Sequence, residues 1–276
     1  MFKRKNLIYI SVLSLLLTSC SEYQKVLNKG TVEKQYAMAT KMYEAKKYNK
    51  ALNLFEKVTA SYRGKPQMER IQFMVAQSNF NTKNYDLAGY YFDRFTQNYP
   101  KSSKKEEAAY LSAYSYMLSS PVFSLDQTET KKALDAFQGF INAYPDSKRA
   151  VDANKYYQEI RYKLQKKAFE IAKVYYTTAD YDTRNYNAAI VAFDNLLSDY
   201  LGSEFKEEAL YYRLKAAHDL AIKSNDIKKG TRIKNAVKAY EKLKRNFPKT
   251  KYTKDSDKML ATLEKEKKQL VKNKVN

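Results

Sequence analysis

Five stretches of the chain lie over one another without a gap, and a self-repeating pattern constrains a fold more than composition does. They begin at Tyr48, Tyr85, Thr130, Tyr186 and Ile233. Each carries an alanine (Ala51, Ala88, Ala133, Ala189, Ala236) and an aromatic four residues on (Phe55, Phe92, Phe137, Phe193, Tyr240). A second aromatic follows seven residues later (Tyr62, Tyr99, Tyr144, Tyr200, Phe247). Side chains four apart share one face of a helix. Val58, Phe95, Phe140, Leu196 and Leu243 sit seven beyond the alanines and extend that face into an apolar stripe. The small alanine lets a partner helix come close. Pro100, Pro145 and Pro248 stop three of the helices, because a residue before proline avoids helical geometry. These repeat positions therefore read as core, not as a platform for a base or a cofactor.

Matching first helices precede them, as in Tyr36-Ala39-Tyr43, Phe73-Ala76-Phe80, Tyr110-Ala113-Tyr114-Met117 and Leu210-Leu214-Ala217-Leu220. The paired pattern resembles the tetratricopeptide repeat, and implies an all-α TPR-like solenoid of about five helical hairpins. Only 6 Gly and 5 Pro agree with a chain poor in tight β-turns. The alanines are spaced by 37, 45, 56 and 47 residues, so some repeats carry extra length. One excess is a loop from Ser119 to Thr128, and the largest is a breaker-poor stretch, Arg149–Ala179, expected to be one long helix.

The start of the chain is an address. Lys3, Arg4 and Lys5 precede an apolar run from Leu7 to Leu17, then Thr18, Ser19 and Cys20. The run is too short to span a membrane and has the layout of an export signal. Leu17-Thr18-Ser19-Cys20 resembles a bacterial lipobox, which implies that Cys20, the only cysteine, is acylated. Ser21, in place of Asp, is compatible with delivery to the outer membrane. The expected organisation is a signal peptide (1–19), a lipidated tether (20–33), repeats 1–3 (34–148), a long linking helix with repeats 4–5 (149–252) and a basic C-terminal helical tail, frayed at its end (253–276). Loss of residues 1–19 leaves 48 basic against 30 acidic side chains, a formal +18, which suits acidic partners.

Catalytic chemistry is hard to assemble from this inventory. His218 is the sole histidine and falls within an expected first helix; no Gly-rich phosphate cradle exists; one cysteine gives no disulfide. Glu106-Glu107 and Glu207-Glu208 open expected helices, where acids favour the positive end of the dipole. No enzyme activity, metal or cofactor is expected beyond the lipid on Cys20. Zero Trp weighs against a sugar-binding lipoprotein, and the export signal against nucleic acid.

The lipobox, the Ser-Glu-Tyr-Gln-Lys-Val segment after it, five degenerate repeats with Tyr-Pro-x-Ser ends and the Pro121…Thr128 loop together resemble the BamD family, lipoproteins of the outer-membrane β-barrel assembly (BAM) complex. That resemblance implies a scaffold on the periplasmic face of the outer membrane. Its partners would be the periplasmic domains of the barrel subunit, docked on repeats 4–5, and unfolded outer-membrane proteins, received by repeats 1–3. The carboxylate clamp of some TPRs falls here on Tyr36, Thr40 and Met74, so that grip is not expected. The competing reading is another TPR lipoprotein scaffolding cell-wall or division machinery, or a glycan-uptake lipoprotein.

Overall fold

The computed structural model describes residues 22–275, with side chains through Lys272; Cys20 and the export segment lie outside them. Among the described residues there are helices and no strands. A helix over residues 22–29 (α1) leads into α2 (Val32–Glu44), α3 (Tyr48–Thr59), α4 (Gln67–Asn81), α5 (Tyr85–Asn98), α6 (Lys105–Ser119) and α7 (Thr128–Ala143). Then come α8 (Ala150–Thr177), α9 (Arg184–Asp199), α10 (Lys206–Ile222), α11 (Asp226–Asn246) and α12 (Thr253–Val275). The helices form two compact units. Unit 1 runs through Pro121 and resumes over Gln127–Tyr157; unit 2 takes Val122–Asp126 and the chain from Gln158.

The repeated stripe falls on α3, α5, α7, α9 and α11. Ala51, Ala88, Ala133, Ala189 and Ala236 are wholly buried, as are Phe55, Phe92, Phe137 and Phe193. Burial of an aromatic ring contributes about 2–3 kcal/mol against exposure, so these rings dominate the packing. Tyr240 departs from the set. It is half-buried, and its hydroxyl donates to Asp257 Oδ1 at 2.8 Å.

The first helix of repeat 4 was not visible as a separate element, because it is the C-terminal part of α8. Phe169, Ala172 and Tyr176 repeat the spacing of Tyr36-Ala39-Tyr43, and Phe169 packs on Phe193 at 5.9 Å between ring centres. The N-terminal turns of α8 pack on unit 1, where Tyr156 meets Tyr114 and Phe137. The helix expected as a linker is thus core at both ends.

At the N-terminal end, residues 22–29 of the expected tether are helical. Tyr23, Val26 and Leu27 form a three- and four-residue stripe on α1, Tyr23 is buried, and Gln35 Nε2 donates to the Val26 and Leu27 carbonyls. At the other end, the expected basic helical tail is α12, and its apolar side is packed where fraying was expected. On α12, Leu263 and Leu270 are buried, and Lys229 pairs with Glu266 at 2.8 Å. The helix covers the last hairpin, the role of the terminal cap that a repeat array needs.

One turn recurs after the second helix. Ser102, Ser147, Ser203 and Thr250 lie three residues past Tyr99, Tyr144, Tyr200 and Phe247. In each, the hydroxyl accepts from the backbone N–H two residues on, at 3.0, 3.1, 3.1 and 3.2 Å. That bond fixes the entry of the next helix. The preceding first helix grips the same turn: Ser147 donates to Glu106 Oε1 (2.6 Å), Ser203 to Gln165 Oε1 (2.8 Å), and Lys251 N–H to Glu207 Oε1 (3.3 Å). Glu106 and Glu207 therefore clamp turns as well as sitting at helix starts.

Candidate protein-binding grooves

Most of the repeat-pattern residues are taken up by the core, and the open surface lies between the helices. In each unit two successive second helices flank one first helix and leave a groove. In unit 1 it runs between α5 and α7 over α6, with a volume of about 610 Å³. Small residues line its floor on α6, Ala109 and Ser112, and its α7 wall, Ala136, Gly139 and Ala143, beside the larger Tyr116 and Phe140. A Cβ placed on Gly139 would meet nothing within 4 Å, so this wall is open. Charges on the rim are mixed, with Asp93 and Asp135 opposing Lys105 and Lys132.

The unit 2 groove lies between α9 and α11 over α10, with a volume of about 670 Å³. Ile190, Ala217, Leu220 and Ala239 line it, and its cations are Arg213, Lys228, Arg232, Lys238 and Lys242. Arg213 is committed internally, through a bidentate pair to Asp194 at 2.7 and 2.8 Å. Arg232 donates to Ser224 Oγ. Lys238 and Lys242 are exposed, and the latter approaches Asp194 only to 3.9 Å. An acidic segment with an apolar side fits this charge and floor.

Unit 2 also carries an aromatic face on its first helices. Tyr176, Tyr211 and Tyr212 surround Lys215, whose ammonium lies 5.3–5.8 Å from their ring centres. Tyr211 stacks on Tyr252 at 3.8 Å and donates to Asp255. Tyr176 donates to Asp219, which also meets His218 Nδ1 at 2.7 Å. Burial, then the Asp219 charge, holds the Tyr176 hydroxyl well above its ordinary value, so it stays a donor. His218 is thus tied into a packing network. Thr40 and Met74, at the positions of the carboxylate clamp, offer no grip: the Thr40 hydroxyl and Met74 are buried.

Sequence reasoning missed the grooves, since their walls come from three helices and no motif marks them. Among the described residues no helix is long and apolar enough to cross a membrane, and no cluster of His, Cys, Asp and Glu could hold a metal.

Buried repeat positions, a capped last hairpin and grooves with polar rims define an all-α, TPR-like helical-repeat protein. A family model described as an outer membrane lipoprotein, YfiO, matches residues 28–229, and the chain belongs to that family. It is similar to the outer membrane protein assembly factor BamD of Rickettsia prowazekii, 27% identical over 67% of this chain and 74% of that one. It is also similar to BamD of Neisseria meningitidis serogroup B, 23% identical over 91% of this chain and 94% of that one. Among solved structures, a TPR-like repeat chain of Podosopora anserina aligns at 12% identity over 84% of this chain and 92% of its own. The TM-score is 0.32.

Proposed function

We propose that the chain is a scaffold subunit of the machinery that assembles β-barrel proteins into the outer membrane, held there by lipid on Cys20 and acting without turnover. The observation that carries this reading is the family match across residues 28–229, which spans both units. The lipobox supplies the anchor, and the helical array supplies extended surface for polypeptide partners. Depleting the protein should lower the abundance of outer-membrane barrel proteins while other lipoproteins stay in place. Normal barrel levels after depletion would sink the assembly role and leave a scaffold for some other envelope machinery.

The grooves divide the work in this reading. The basic unit 2 groove docks the periplasmic domains of the barrel subunit through an acidic segment. The open, mixed-charge unit 1 groove receives unfolded client chains. In the full-length protein, Lys238→Glu with Lys242→Glu should abolish co-purification of the barrel subunit while client cross-links persist. Retention of the subunit by that variant would move the docking site elsewhere.

A further inference from the structure

The turn between the two helices of the first repeat is rich in lysine, and the described chain begins beside it. Tyr23 is buried against the first hairpin, and its hydroxyl donates to the Lys50 carbonyl at 3.2 Å. The Lys50 ammonium lies 5.0 Å above the Tyr23 ring. Glu22 lies 3.9 Å from Lys41, in the last turn of α2. Residue 22 therefore sits at the α2–α3 turn, which carries Lys46 and Lys47. The other acid at this corner, Glu44, is taken up by Arg70 at 3.4 Å. Among the described residues no carboxylate lies within ion-pair reach of Lys46, Lys47 or Lys50. Lys46 holds a left-handed backbone, φ 57°, where glycine is the unstrained choice.

Three peptide links separate Cys20 from Tyr23, which even fully extended reach only roughly 10 Å. Acyl chains on Cys20 would enter the bilayer at its surface. The Lys41 and Lys50 ammoniums, beside Glu22 and the Tyr23 ring, then lie within about one to two Debye lengths of the headgroups at 0.1 M salt, where lysines begin to feel anionic lipid. From this we infer that the corner formed by Lys41, Lys46, Lys47 and Lys50 is a membrane-contact surface, seated on the anionic phospholipid headgroups around the lipid anchor. It makes the attachment two-point, one covalent and one electrostatic, and so orients repeat 1 instead of letting it swing. The inference rests on acylation of Cys20.

The absence of any other cysteine makes the test direct, since an acylated Cys20 cannot take a thiol label. The lipidated full-length protein, carrying Asn49→Cys at the corner or Lys34→Cys near the far end of α2, is labelled with an environment-sensitive fluorophore. It is then placed in vesicles of phosphatidylethanolamine with phosphatidylglycerol, or of zwitterionic lipid alone, each containing headgroup-nitroxide lipid. Quenching is expected at position 49 and not at 34, stronger in the anionic vesicles. It should weaken in high salt and with all four lysines changed to Gln; helix content by circular dichroism checks that the variant folds. Equal quenching at the two positions overturns the proposal. So does quenching at 49 that is indifferent to lipid charge and to the lysines, since anchor length alone then explains it. Vesicle flotation and the mass of the N-terminal peptide read the acylation separately. If Cys20 is unmodified, the anchoring reading fails first and the corner proposal falls with it.

Discussion

The grooves of the two units occupy equivalent places in the repeat, yet their chemistry has diverged residue by residue. Asp93 and Asp194 correspond, each five residues past the repeat alanine. In unit 2 the residue facing that aspartate is Arg213, and the two close a bidentate pair. In unit 1 the Arg213 position is Ser112, which donates to the Gly89 carbonyl at 2.9 Å. There the groove wall is built by close approach: Gly89 replaces Ile190, and Tyr116 replaces Ala217. A Cβ on Gly89 would fall 2.7 Å from the Tyr116 ring. On the opposite wall Asp135 and Gly139 become Lys238 and Lys242. One scaffold position thus yields an open, charge-balanced slot in unit 1 and a basic slot in unit 2. The difference teaches that the shared stripe of such an array sets where a groove is, and a handful of substitutions in and behind its walls set what it attracts.

The hardest test of the shared scaffold is its core. Phe92→Ala and Phe193→Ala remove equivalent, wholly buried rings, and each should cost about 3–5 kcal/mol. Denaturant melts should shift by similar amounts for the two. A large shift for one and none for the other would mean the units are not packed alike.

Next comes the divergence itself. Gly89→Ile drives a side chain into the Tyr116 ring and should cost about 1–3 kcal/mol by overpacking. Adding Tyr116→Ala copies the unit 2 arrangement and should recover part of the loss. If the double variant is the less stable of the two, the correspondence between the grooves is wrong at this point.

Arg213→Ala should have a smaller effect, about 1 kcal/mol, because Asp194 keeps 40% of its side chain in solvent. The same variant frees Asp194 and should weaken binding of an acidic peptide to the unit 2 groove, which isothermal titration would read.

The smallest effect is alkaline. Burial, with the Asp93 charge second, pushes the Tyr116 hydroxyl up to about 12, against 10 for a free tyrosine. A raised folded-state value favours folding fully below pH 10, and that contribution fades as pH climbs toward 12. Tyr116→Phe should therefore lose less stability than the parent between pH 10 and 12 in chemical denaturation. Parallel losses would mean that Tyr116 is solvated.

The five buried stripes were legible because alanine and aromatic spacing reports one helix at a time. What escaped notice needed more than one helix. The groove walls depend on which residues of α5, α6 and α7 face each other, and no local period encodes that. Repeat 4's first helix hid inside α8, since no Gly or Pro marks where linker becomes repeat, although Phe169-Ala172-Tyr176 carried the signal. The α1 segment looked like a tether because its polar residues outnumber Tyr23, Val26 and Leu27. The turn hydroxyls were in view as Tyr-Pro-x-Ser ends, but their bonds to the next helix were not.

Those turns have a genetic corollary. From Ala88 to Ser102, Ala133 to Ser147, Ala189 to Ser203 and Ala236 to Thr250 the spacing is 14 residues every time. All of the variation between repeats is absorbed elsewhere, in hairpin loops such as 120–127 and in α8. A duplication or excision whose breakpoints fall at two of these hydroxyls carries a whole repeat and rejoins one turn to an equivalent turn. Removing residues 103–147, for instance, would set Ser102 directly before Lys148, with a capping hydroxyl still in place. A change in length by one whole repeat at these seams would leave the turn chemistry of the array intact.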